Sequence, residues 1–453
     1  MQRKQYKDSR NIARRDFLKL AGATLGGLGG LSLFGPRPLF AQTTAQGTID
    51  SVRYARPGVM PTVINVFLYG GASELGANFT NRSDIFSASV NSYPGGQVSV
   101  TANGFWEQAG GAIMEDLVSS RRMSVYRTIH RRKDNSRAHG RSISQNLKGG
   151  LNPEGPGIAA NLAAILHRNG VVDPGNDLFP FVSLEGDGEI FDTSDLQLTS
   201  GLRPVALDGR NLSNPYEQRA NGNLSSANSA RLEDLANTVT AHHVQTRPTY
   251  TDLQRTAEFF QRRRSVSNFI TNLRTLPLPG GVTYPANNPM ADRLRSAMQI
   301  AVNNPTTRFI SVGNGGIGGW DAHSDAINTY TTNMTRVMEA LRAASDHMRA
   351  TGTENRIVIN VYGDFGRNVN LNNSRGWDHG NNQNLLTLGG TAYRRLGRVE
   401  GRTTLTGSAA RNRLFTVPAS GSVEYEPFAI ASTVYQMFGV RNPDILTGEN
   451  PIA

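Results

Sequence analysis

The run Thr62-Val63-Ile64-Asn65-Val66-Phe67-Leu68-Tyr69 is β-branched, apolar or aromatic at every position but Asn65, and it stops at Gly70-Gly71. A half-exposed strand would alternate apolar and polar positions; this run does not, so it predicts a central strand buried on both faces and closed by a tight turn. Similar runs predict strands over 123–129, 309–312, 356–362 and 385–388. Apolar residues at helical spacing, as at Ile158, Leu162, Ile165 and Leu166, predict a helix over 158–168. Helical patterns also cover 114–120, 250–273, 289–302, 324–350 and 427–438. From about Asp187 to Arg247 the chain is rich in Asn, Ser, Gly and Asp with sparse apolar periodicity, which predicts an irregular insertion with short strands. Strands alternating with long helices predict an α/β fold, a mostly parallel central sheet with helices on both faces. In such sheets ligands sit beyond the carboxyl ends of the strands.

The first forty residues change the picture of where the chain works. Arg14-Arg15-Asp16-Phe17-Leu18-Lys19 stands directly before a glycine-rich, weakly apolar stretch from Leu20 to Phe34. Paired arginines in that setting are an export signal read by the twin-arginine translocase. The stretch is shorter than the roughly 20 apolar residues of a spanning helix. Residues 1–41 are therefore expected to be a signal peptide cut after Ala41, with Ala45 as the alternative. Residues 42–453 are expected to form one α/β domain, periplasmic or secreted, with no stable membrane span. Retention of an uncut signal as a tether is the competing expectation.

Composition narrows the chemistry. Residues 1–41 carry eight Lys and Arg against Asp8 and Asp16, so +6 of the formal +11 belongs to them and +5 to the rest. That balance gives no reason to expect a nucleic-acid partner. The chain has no cysteine, which excludes disulfides, thiolate metal sites and cysteine nucleophiles. Catalysis would have to use hydroxyls, carboxylates, imidazoles or a metal.

Polar signatures cluster at the predicted strand ends: Gly319-Trp320-Asp321-Ala322-His323-Ser324, Gly363-Asp364-Phe365-Gly366-Arg367 and Gly376-Trp377-Asp378-His379-Gly380. Carboxylates with neutral imidazoles suit zinc or manganese, because oxygen neutralises charge while imidazole adds affinity and direction. Each motif also has a structural reading. Asp321 would suit a cap of the following helix, Asp378-His379-Gly380 a turn, and Asp364 an ion pair with Arg367. Between Arg121 and Arg141 stand eight Lys and Arg against one Asp, either a solvated loop or an anion subsite built from forked guanidinium groups.

In this order, behind a twin-arginine signal and together with Phe67-Leu68-Tyr69-Gly70-Gly71-Ala72 and Leu388-Gly389-Gly390, the motifs resemble the domain of unknown function 1501 family. The resemblance covers nearly the whole chain after the signal. It implies an alkaline phosphatase/sulfatase-like fold with a two-metal site at the strand ends. Asp321 and His323 would hold one ion; Asp364 and His379 would hold the second or support it, and Asp378 would orient His379 or ligate. The chain departs from the family pattern in three places. Ser73-Glu74 follows the Gly-Gly-Ala turn where an aspartate is usual, leaving Glu74 to reach in; Asp364 replaces a glutamate; and Ala138 stands beside His139 where a serine is common. His139 is then expected as a catalytic residue, with Ser142 or Ser136 as the nucleophile. The function implied is an exported, divalent-metal-dependent hydrolase of phosphate or sulfate esters, its substrate a small molecule or a glycan. The alternative is a non-catalytic binding or scaffold protein on the same fold that recognises an acidic polymer.

Overall fold

In the computed structural model the apolar runs become β1 (Thr62–Leu68), β2 (Met123–His130), β5 (Phe309–Gly313), β6 (Ile357–Gly363) and β7 (Asn382–Gly389). Short strands β3 (Phe181–Ser183), β4 (Val205–Ala206) and β8 (Val399–Glu400) complete one sheet, ordered β4-β3-β5-β1-β6-β7-β2-β8. The structure describes residues 45–452 apart from 89–92, 94–97, 187, 211, 213–225, 248–250, 314–318 and 409–412. Contacts group the chain into two units, Met1–Thr43 and Thr44–Ala453. The expected signal peptide, residues 1–41, and its cut after Ala41 lie outside the described residues.

β1 is buried at all seven positions because both of its faces are covered. On one side Ile64, Val66 and Leu68 join a core with the helices Gly111–Ser119, Pro289–Asn303 and Ala326–Ala350. On the other, Val63 and Phe67 pack with Ile158–Arg168 and Phe428–Met437. Each fully buried branched or aromatic side chain contributes roughly 1.5–3 kcal/mol by leaving water. A buried polar row crosses the second face in register: Ser183, Ser311, Asn65, Asn360, Thr387 and Ser124, all at most 2% exposed. Thr387 donates to Asn360 at 3.0 Å, and Ser311 donates to Glu185.

The sheet is mostly parallel, as the alternation of elements predicts, with β7 antiparallel to both β6 and β2. β7 therefore begins at the edge where β1, β2, β5 and β6 end. The stretch 187–247 is less irregular than its composition implies. It contains the helix Ser226–Thr246, which packs on the helix Thr251–Thr275. Two of its apolar residues, Leu235 and Val239, are exposed, so the apolar positions of the sequence do not single out one buried face. A hairpin of β9 (Thr403–Ser408) and β10 (Arg413–Pro418) stands outside the main sheet. No described helix is long and apolar enough to cross a membrane.

Candidate functional site

The carboxyl edge of the sheet gathers side chains far apart in sequence. β1 ends in Gly70-Gly71, whose N–H groups both donate to Asp364 Oδ1, at 3.1 and 2.6 Å. Asp364 follows β6 and is fully buried. Its other oxygen lies 2.5 Å from His139 Nδ1, on the first turn of the helix His139–Lys148. The segments after β6 and before β7 run antiparallel through an Arg367–His379 bridge, with Asn368 N–H donating to the Asp378 carbonyl. The loop carrying Asp321 and His323 is pinned to the same structure, since Trp377 N–H donates to the Ala322 carbonyl. Gly70 has φ +110°, and a Cβ there would stand 2.7 Å from Asp321 N, so the close approach of these two loops requires glycine.

Four donor atoms meet above this frame. Asp321 Oδ1 lies 3.2 Å from His139 Nε2, 3.4 Å from His379 Nε2 and 2.9 Å from His323 Nε2. His379 Nε2 is 3.1 Å from both His139 Nε2 and His323 Nε2. His139, Asp321 and His379 can each offer an atom within 4.8 Å of the other two, the geometry of a metal group. His323 adjoins it on the exposed side. A tetrahedral ion with bonds of about 2.0–2.1 Å would set neighbouring donors about 3.3 Å apart.

The proton positions favour a cation at the centre. Carboxylates and carbonyls only accept. His139 Nδ1 faces Asp364, His323 Nδ1 faces Asp378 Oδ1 at 3.2 Å, and His379 Nδ1 faces the Arg137 carbonyl at 2.7 Å. Each Nδ1 therefore carries its ring's N–H, and in the neutral rings all three Nε2 lone pairs turn toward Asp321. Such a convergence of acceptors fits a divalent ion.

Arg367 builds the wall. It is 1% exposed and donates to the carbonyls of Gly70, Gly71, Trp320 and Trp377 and, at 2.6 Å, to Asp321 Oδ1. Partial burial pushes the Asp321 carboxyl up, but the Arg367 hydrogen bond and charge, with His139 and His323, carry it down to about 2. The Asp364 hydrogen bond raises His139, while desolvation lowers His379. The Phe365 ring lies 4.7 Å from His139 and 4.9 Å from His379, shielding one side of both.

Asp321, His323, Asp364, Asp378, His379 and His139 thus come together. Asp364 turns to backbone N–H groups and His139, which makes it an orienting carboxylate. Asp378 orients His323, and Asp321 is no helix cap, because Asp325 precedes the helix Ala326–Ala350. Asp321, not Asp364, pairs with Arg367. Two expected residues are committed elsewhere. Glu74 is 1% exposed and accepts from Arg367 N–H at 2.9 Å and Thr416 Oγ1 at 2.6 Å. Desolvation pushes its carboxyl up to about 7 against those bonds. Ser142 is buried one turn along the helix from His139, its hydroxyl 3.4 Å from the Ser136 carbonyl. Ser136 in turn accepts from Ala138 N–H.

Residues 24–419 match the family described as Protein of unknown function (DUF1501). The chain belongs to that family. No curated protein matches this DUF1501 chain in sequence. Solved structures similar to it include Ps i-CgsB in complex with k-i-k-neocarrahexaose, at 11% identity over 86% of this chain and 77% of that one, TM-score 0.39. Another is lipooligosaccharide phosphoethanolamine transferase A from Neisseria meningitidis, at 11% identity over 98% and 66%, TM-score 0.41. A third is a sulfatase from Pseudoalteromonas sp., at 11% identity over 90% and 73%, TM-score 0.33.

Proposed function

We propose that this DUF1501 protein is a metal-dependent hydrolase of phosphate or sulfate esters, exported by the twin-arginine route. The observation that carries the metal is the set of three imidazoles whose Nδ1 groups all face acceptors while their Nε2 atoms meet at Asp321. A bound zinc or manganese ion supplies Lewis-acid polarisation of an ester oxygen. The residues around it do the positioning. Arg367 keeps Asp321 ionised, Asp364 and Asp378 fix the tautomers of His139 and His323, and Phe365 limits the approach of water from one side. Phosphate and sulfate esters are the substrates implied by the resemblance of the motifs to the DUF1501 family, itself expected to share the alkaline phosphatase/sulfatase-like fold.

A second reading, a binding protein on the same fold, draws support from the commitment of Glu74 and Ser142 to other partners. One experiment separates the two. The full chain is purified, its zinc and manganese measured, and turnover of an aryl phosphate and an aryl sulfate followed before and after chelation. Stoichiometric metal, with turnover that chelation abolishes and metal restores, is expected. Metal without turnover leaves the binding protein, and neither metal nor turnover sinks the hydrolase.

A further inference from the structure

Most of the positive charge between Arg121 and Arg141 is committed inside the protein. Arg127 is buried on the carbonyls of Ala77 and Asn103, and Arg131 on Asn146 and Gln145. Arg122, Lys133 and Arg141 pair with Asp346, Glu449 and Asp134. Arg132 is exposed and lies 3.8 Å from Glu424. Arg121 precedes β2, at the edge of the sheet opposite the site.

Arg137 differs from these. Its Nε donates to Asn381 Oδ1 at 2.9 Å, and its guanidinium lies 4.2 Å over the Phe415 ring of β10. Both of its Nη groups lack an acceptor among the described residues. The neighbours of the proposed ligands hold this cation beside them: Arg137 stands two residues before His139, and Asn381 two after His379. Arg413 lies two positions from Phe415, on the same face of β10. It is exposed, has no ion pair among the described residues, and its charge acts on Arg137.

A guanidinium stacked on a ring has already lost most of its rotamer freedom, and its two Nη groups form a fork that matches an oxyanion. We infer that Arg137, backed by Phe415 and reinforced by Arg413, is a subsite for a second anionic group of the substrate. The substrate class is then a multiply charged ester, such as a sugar carrying several sulfate or phosphate groups. This inference rests on the proposed hydrolase reading for the ester, whereas the subsite can be tested without turnover.

The probe is sucrose octasulfate, titrated calorimetrically into the chelator-treated full chain at fixed ionic strength. Three proteins are compared: wild type, Arg137→Gln, and Arg395→Gln, which removes the same charge from an exposed arginine after β7, at the opposite edge of the sheet. Arg137→Gln keeps the backbone carbonyl that holds His379, and thermal unfolding confirms its fold. Its affinity is expected to fall about ten-fold or more, the size of a lost charge-assisted hydrogen bond, while Arg395→Gln changes affinity by less than about two-fold. Equal losses in both variants, no loss in Arg137→Gln, or no binding by wild type overturns the subsite. Metal content and aryl ester turnover of the same wild-type preparation report on the hydrolase separately. A selective loss in Arg137→Gln beside an inactive, metal-free wild type keeps the subsite and removes the hydrolase.

Discussion

The tautomer of His139 depends on a single carboxylate. Asp364→Asn would keep an oxygen for the Gly70 and Gly71 N–H groups while turning an NH2 toward His139 Nδ1. The ring would then carry its proton on Nε2, facing Asp321. Zinc affinity is expected to fall ten- to a hundred-fold, the usual cost of losing an orienting partner, with the unfolding temperature little changed; competition against a chromophoric chelator measures it. Glu74→Met is a contrasting case, because it leaves the buried Arg367 N–H and Thr416 hydroxyl without their acceptor. A loss of about 1–3 kcal/mol in urea unfolding is expected from the buried mismatch. The motifs containing Asp321, His323, Asp364 and His379 pointed to the site because each sits at the end of a recognisable strand. His139 was legible as functional but not as a candidate ligand. Its partners Asp321, Asp364 and His379 lie about 180 residues or more downstream, and its local sequence suggested a base for a serine.

Among elements, the loops carry the geometry. A Cβ on Gly376 would fall 1.8 Å from the His323 carbonyl carbon, so Gly376→Ala must displace the Asp321–His323 loop. The variant is expected to lose metal affinity although no donor atom is altered. Gly58→Ala, where a Cβ meets nothing within 4 Å, should leave it unchanged. Chelator competition on both variants checks the difference. The long strands and most helices could be read from the sequence because burial on two faces leaves an unbroken apolar run and burial on one leaves a periodic trace. The helix Ser226–Thr246 left little trace, since apolar residues such as Leu235 and Val239 stand exposed on it. The reversed direction of β7 left none, because an apolar run reads the same in either orientation. That reversal brings His379 to the edge where His139 and Asp321 arrive.

For the whole molecule, stability is tied to pH through a group remote from the site. His347 is 2% exposed, hydrogen-bonded at Nδ1 to Tyr284, and burial, with Arg295 adding to it, lowers its pKa to about 4 from an unfolded value near 6.5. Between these values the unfolded chain binds the extra proton, so stability rises with pH across the window and is lost as pH falls through it. The loss is expected to approach ~3 kcal/mol below pH 4. Urea unfolding from pH 7 to 4 should show a shallower decline in His347→Gln than in wild type. The hydrophilic residues spanning six strands have a different consequence. Sliding any one strand by a single step would thrust its Asn, Ser or Thr into the opposite, apolar layer and bring an oily side chain among amides and hydroxyls. Each of the six strands thus carries its own penalty against a slipped pairing, and the row acts as an alignment key for assembling the sheet.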